Sequence, residues 1–120
     1  MKRIASGLKG TYPVKFSDTE IAFPEKILPI LESFGIRGFE TVLMEEEERY
    51  LRMFPALEEK GAFFTLEKGK TKIPRAIKDY LGIREEGYLI GMSYILELWG
   101  PSWEKYKKQQ KDFSGTPDIF

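Results

Sequence analysis

Two proline-marked steps divide this chain into similar halves. Phe23-Pro24 and Ile73-Pro74 lie fifty residues apart, and each is followed by a glycine-isoleucine pair, Gly35-Ile36 and Gly82-Ile83. Around these anchors both halves run strand, turn, strand, proline, short helix, Gly-Ile, strands and a further helix, with Tyr50 and Tyr106 in those last helices. A unit of about 45 residues rarely buries enough surface to fold alone, so two such units must share one core. The economical reading is a fused pseudo-dimer of small β-hairpin units. The alternative is an unrelated α+β domain whose halves match by chance, because identity between them is low. A length of 120 residues fits one compact domain in either case.

Composition narrows the chemistry. Hydrophobic residues make up 42% and charged residues 32%, which favours a folded chain over a disordered one. There is no Cys and no His, so disulfides, thiolate or histidine metal sites, and Cys or His nucleophiles and bases are excluded. Nineteen basic residues balance nineteen acidic ones, so any nucleic-acid contact must come from a local patch rather than from overall charge. The longest apolar stretch, residues 88–99, is interrupted by Ser93 and Glu97 and is shorter than the roughly 20 residues a membrane span requires. The amino-terminal residues hold no apolar run of signal-peptide length. The expectation is a cytoplasmic protein.

Along the chain, residues 1–9 read as a loose lead-in with Lys2, Arg3 and Lys9. Residues 12–23 alternate Val14, Phe16, Ile21 and Phe23 around a turn at Ser17-Asp18, the pattern of two strands. Pro29 lies inside the next apolar stretch, so a helix there must restart at Pro29 or remain a single turn. Residues 39–44 read as a strand. Residues 45–53 open with four acidic positions and predict a helix stopped by Pro55, followed by a second short helix over 55–60. These two helices would connect the halves. Residues 62–66 and 71–73 predict strands around Lys68-Gly69. A helix follows Pro74 with Ala76, Ile77, Tyr80 and Leu81 on one face and Gly82 as its cap. Strands at 88–90 and 95–99, a helix from Pro101 to about residue 110, and a tail complete the plan.

Lys68, Lys70, Lys72, Arg75 and Lys78 place five cations between residues 65 and 78 against one acid, Glu67. They suit a track along a phosphate backbone. Alternating lysines also guard a sheet edge against unwanted pairing. Lys105, Lys107, Lys108 and Lys111 match the negative end of a helix dipole. The acidic run at 45–48 does not converge on one ion, because consecutive helical residues point in different directions. No carboxylate pair, phosphate loop or cofactor motif stands out, so no catalytic residue, metal, cofactor or small-molecule substrate is assigned. Tyr88, Ile90, Leu96, Leu98 and Trp99 read as core, with Trp99 and Trp103 suited to packing between subunits.

Several short motifs occur in a shared order. Lys70-Thr71-Lys72-Ile73-Pro74, then a helix, then Leu81-Gly82-Ile83 resembles the AbrB-type pattern. Gly91-Met92-Ser93-Tyr94-Ile95-Leu96-Glu97-Leu98-Trp99 and Trp103-Glu104-Lys105-Tyr106 resemble segments of the MraZ family, as does Leu8-Lys9-Gly10-Thr11-Tyr12. The resemblance spans residues 8–106 and is densest over 69–106. It implies an α+β fold in which two AbrB-type swapped-hairpin units form an intrachain pseudo-dimeric β-barrel with short helices. The units would be residues 8–60, including the helical connector, and 61–110, with a flexible tail over 111–120.

The resemblance further implies a transcriptional regulator of division and cell-wall genes, without enzymatic activity. It would be cytoplasmic and nucleoid-associated, form a homo-oligomer or ring, and bind repeated sites on double-stranded DNA through basic hairpins. The residues implied to touch DNA are Lys70, Lys68, Lys72 and Arg75, with Lys9 and Lys15 from the first unit. The family places an Asp eight residues, and an Arg four residues, before the helix-opening proline. Here Leu66 and Lys70 precede Pro74, and Phe16 and Glu20 precede Pro24. Lysine holds phosphate as a point charge without the arginine fork, and Glu20 repels it. The alternative is therefore an oligomeric scaffold of the same fold that has lost DNA binding.

Overall fold

Period-two burial frames the architecture. In β1 (Gly10–Ser17) Val14 and Phe16 are buried while Pro13, Lys15 and Ser17 are exposed, as on a strand with one face against a core. The computed structural model describes residues 8–45, 48–59, 61–92, 94–101 and 103–104. Asp18, at φ 58°, turns β1 back into β2 (Glu20–Ala22). Aspartate is among the few non-glycine residues that accept this left-handed conformation. Later, β5 (Phe63–Thr65) and β6 (Lys70–Lys72) are joined through Lys68 and Gly69, at φ 52° and 77°. Two consecutive positive φ values give the backbone twist of a tight hairpin turn.

The two helices explain the repeated Gly-Ile. In α1 (Leu28–Ser33) Pro29 sits in the first turn, where its missing N–H is not needed. Of the two alternatives the sequence left open, a single turn or a helix restarting at Pro29, the structure takes the helix, which begins at Leu28. At its end the Gly35 N–H donates to the Glu32 carbonyl and the Ile36 N–H to the Leu31 carbonyl, both at 3.0 Å. In α2 (Arg75–Tyr80) the Gly82 N–H donates to Asp79 and the Ile83 N–H to Lys78, again at 3.0 Å. Both glycines have φ near +70° (69° and 71°). The same helix-terminating motif therefore closes both helices, and its following isoleucine, Ile36 or Ile83, is buried.

The remaining strands are β3 (Gly38–Glu45), β4 (Arg49–Ala56), β7 (Glu86–Gly91) and β8 (Leu96–Trp99). Strand order is β5-β3-β4-β8-β7-β1-β2-β6, with every neighbouring pair antiparallel. The two end strands approach each other through a bridge between Glu67 and Lys70 and a 3.0 Å bond from Thr71 Oγ1 to the Thr65 carbonyl. The sheet thus curls into a nearly closed barrel accompanied by a few short helices. Ile21, Leu31, Phe39, Leu51, Leu89 and Leu98 fill it, and Phe23 stacks on Phe39 at 5.1 Å.

Among the described residues the helical connector predicted over 45–60 is replaced by strand. Gly38–Glu45 and Arg49–Ala56 pair as antiparallel β3 and β4, from Gly38↔Ala56 to Glu45↔Arg49. In β4, Leu51 and Met53 are buried while Arg49 is exposed and Tyr50 and Arg52 are half-buried, a strand alternation masked by the run of glutamates beside it. Glu46 and Glu47 lie outside the described residues. Pro55 is tolerated because the β4–β8 ladder covers only Tyr50 to Met53, so no ladder donor is missing. Tyr50 consequently lies on a strand rather than a helix, and Tyr106 lies outside the described residues.

Leu8, expected in a loose lead-in, is fully buried. Trp99 and Trp103, expected between subunits, pack on each other within the chain at 5.3 Å, and Trp99 stacks on Tyr50 at 4.4 Å. The Tyr88 hydroxyl donates to Glu104 Oε1 at 2.7 Å, and this bond raises the phenol's pKa above its ordinary value. Trp103 and Glu104 are helical, as predicted. The rest of that helix, the Lys105–Lys111 cluster and the tail over 111–120 lie outside the described residues. No helix among the described residues is long and apolar enough to cross a membrane.

Candidate nucleic-acid interface

Strand alternation creates the basic surface. In β6 Thr71 points inward and is buried, so Lys70 and Lys72 point outward and are exposed. Pro74 then ends the strand and Arg75 opens α2. Lys68, in the turn before β6, and Arg75, just after it, are both exposed. Lys68, Lys70, Lys72 and Arg75 therefore lie exposed along β6 and its two flanks. Beside them a groove of about 660 Å³ runs along the seam between β5 and β6. Phe63 and Phe64 form its apolar wall, and Glu20, Glu67, Lys68, Lys70 and Lys72 its polar wall.

The neighbouring β1–β2 hairpin brings acids to the same place. In the β2–β6 ladder Glu20 faces Lys72, Ile21 faces Thr71 and Ala22 faces Lys70. The Glu20 carboxylate lies 3.9 Å from Lys70 Nζ. Asp18, in the turn, accepts a hydrogen bond from Arg75 Nη2. Among the described residues Lys68 and Lys72 form no ion pair. Both observed pairs are exposed: side-chain exposures are 54% and 35% for Lys70 and Glu20, and 63% and 72% for Arg75 and Asp18. Such pairs contribute about 0–1 kcal/mol each, so an external anion can replace the carboxylate.

Lys78 does not belong to this surface, although the sequence counts it in the basic run. It is only 7% exposed. Its Nζ donates to the Asp18 carbonyl oxygen and lies 5.1 Å from the centre of the Phe16 ring. Its aliphatic stem supplies packing and its head finds a backbone acceptor and an aromatic face. Lys78 thus fastens the β1–β2 turn onto α2.

The first-unit candidates are dispersed. Lys15 is exposed in the last pair of the β1–β7 ladder, opposite Glu86, and is followed by Phe16, which faces Ile21 of β2. Lys9 precedes β1 at the strand's far end, which an eight-residue strand carries roughly 25 Å from the Asp18 turn. Lys68, Lys70 and Lys72 thus line one groove and Arg75 meets Asp18 of the adjoining turn, while Lys9 lies at the far end of β1 and Lys15 stands on β1, the strand beyond β2. The structure adds Asp18, Glu20, Phe63 and Phe64 as neighbours. The fifty-residue repeat held a signal for this, since it aligns Ile21 with Thr71, the two residues that face each other across the ladder.

This arrangement sets three lysine point charges and one guanidinium beside half-buried Phe63 and Phe64, with no convergent acid-base pair among the described residues. No protein-family model matches the chain, and no curated protein is significantly similar to it.

Proposed function

We propose that this chain is an MraZ-like, AbrB-type DNA-binding transcriptional regulator that contacts DNA through Lys68, Lys70, Lys72 and Arg75. The observation that carries the reading is the succession of these four exposed residues along β6, from its hairpin turn to the first residue of the following helix. A hairpin edge and helix start together follow a phosphate backbone.

The strand pairings support a pseudo-dimeric, swapped-hairpin description. Exchanging β1–β4 for β5–β8 turns the β1–β7 pair into β5–β3 and the β3–β4 hairpin into β7–β8. The β2–β6 and β4–β8 pairs map onto themselves. Each half completes the other's sheet, as expected when two units too small to fold alone share one core.

A duplex taken from upstream of the protein's own gene, labelled and measured by fluorescence anisotropy over a salt series beside a scrambled duplex, tests the reading. Sequence-preferring affinity that falls steeply with salt is the expected result. Lys70→Ala should weaken binding and reduce the slope of log K against log salt by about one. Equal, weak binding to both duplexes, or an unchanged slope in the variant, goes against the assignment.

A second reading has its own observation. Both Lys70 and Arg75 are engaged by carboxylates of the same chain, which favours an oligomeric interaction protein of the same fold that no longer binds DNA. Self-association enters both readings, and the outer edge of β3 supports it. β5 covers β3 only from Gly38 to Glu40, with the Thr41 N–H taken by Ala62. Beyond that point Val42 and Leu43 are 50% and 38% exposed, and no lysine, proline or bulge guards the edge. Leu43→Lys is expected to shift sedimentation toward monomer while changing stability by less than about 0.5 kcal/mol. Unchanged sedimentation would place any oligomer contact elsewhere.

A further inference from the structure

The acids of the β1–β2 turn occupy the cations assigned to DNA. Glu20 sits 3.9 Å from Lys70 and faces Lys72 in the ladder, while Asp18 holds Arg75. The positions of these acids are fixed by the fold. Glu20 is set by the β2–β6 register, and Asp18 by its left-handed turn and by the bond its carbonyl accepts from buried Lys78. Lys68, Lys70 and Lys72 thus line one groove with Glu20 and Glu67, and Arg75 is held by Asp18 of the adjoining turn.

Resting on the DNA-binding reading, we infer that Asp18 and Glu20 are an intramolecular stand-in for DNA phosphates that autoinhibits the basic hairpin. Each carboxylate must leave its cation before a phosphate oxygen takes that place. The first hairpin therefore acts as a competitor for the second hairpin's ligand. Because both pairs are exposed, the competition attenuates binding without abolishing it. Its effect is largest for sequence-independent contacts, where phosphate charge supplies nearly all the affinity.

The test uses the full chain with Asp18→Asn, Glu20→Gln, the double variant, and Glu58→Gln as an exposed control. Asparagine tolerates the φ of residue 18 as aspartate does, and the carbonyl that holds Lys78 is backbone, so the turn is retained; thermal melts verify it. The probe is a labelled duplex of arbitrary sequence at about 50 mM salt and upward. The double variant is expected to bind roughly tenfold tighter than the parent, with a salt slope steeper by about one to two as Lys70 and Arg75 are released to phosphate. Glu58→Gln should change affinity less than about twofold.

In a Lys70→Ala/Arg75→Ala background the same double substitution should give no gain. A gain that persists there is a long-range charge effect and overturns the inference. A parent that binds, with a double variant of equal affinity and slope, overturns the inference and leaves the DNA reading intact. Binding by neither protein overturns both. Binding by the double variant alone supports both and means that inhibition in the parent is complete.

Discussion

Replacing Gly91 with alanine is expected to lower the thermal unfolding midpoint by at least about 10 °C. Gly91 ends β7, is buried, and faces Gly10 across the β1–β7 ladder. A Cβ there would lie 1.5 Å from the Leu8 carbonyl oxygen and 2.5 Å from its carbonyl carbon. Both are backbone atoms, so no side-chain rotation relieves the overlap. Leu8 is itself fully buried, and moving its backbone aside pulls an apolar side chain out of the core. Overpacking in cores costs about 1–3 kcal/mol and more where backbone must move. For a chain of this size each kcal/mol shifts the midpoint by roughly 3–6 °C. Gly61→Ala is the control: its φ is positive, 63°, unlike that of Gly91, and nothing lies within 4 Å of its Cβ. It should lose only the conformational term, about 1 kcal/mol. Equal, small shifts for both variants would mean that the segment at Leu8 yields freely.

The parts of the fold that were legible in the sequence are those set by neighbours a few residues apart. The Lys68-Gly69 turn, the helix at Pro29, the Gly82 cap and the β7 and β8 strands follow from turn chemistry, helix ends and alternation, and each is present. The β3–β4 hairpin was misread because the local signals conflicted. A run of glutamates suggests a helix start, and the competing alternation of Tyr50, Leu51, Arg52 and Met53 is short. Pairing with β8, over forty residues away in sequence, settles the matter in favour of strand. Such tertiary override is most common where an element is buried on both edges.

The basic patch shows the same division. That Lys70 and Lys72 point outward is readable from Thr71 and Ile73 alone. That Glu20 and Asp18 stand beside them depends on the β2–β6 register, which no local pattern reveals. The burial of Lys78 was also hidden. Counting apolar positions puts Ala76, Ile77, Tyr80 and Leu81 on the inner face, yet Ala76 is exposed and Lys78 is buried. A lysine stem fills apolar space as well as an aliphatic side chain does when its ammonium has an acceptor, and here that acceptor is a carbonyl sixty residues earlier in the chain.

Glu97→Ala is expected to cost about 2–4 kcal/mol of unfolding free energy, whereas removing Glu97 and Arg52 together should cost less than the single change. Glu97 on β8 is only 5% exposed and faces Arg52 on β4. Its Oε2 lies 3.5 Å from Arg52 Nη2, and its Oε1 accepts a 3.0 Å bond from the Trp99 indole N–H. Alanine leaves a buried indole donor without its acceptor and a guanidinium without its counter-charge. The Arg52 side chain remains 32% exposed, so water partly relieves it, which keeps the cost below that of a fully buried broken pair. Glu97→Gln retains an oxygen for the indole and should lose only about 1 kcal/mol. In the double variant Arg52→Met/Glu97→Leu neither charge is left behind, and the apolar side chains, a cross-strand pair two positions along the ladder, can pack beside the Tyr50–Trp99 stack. Urea denaturation followed by tryptophan fluorescence measures all three. If Glu97→Ala proves milder than the double variant, the carboxylate contributes little, and the backbone ladder with its aromatic stacking holds β4 against β8.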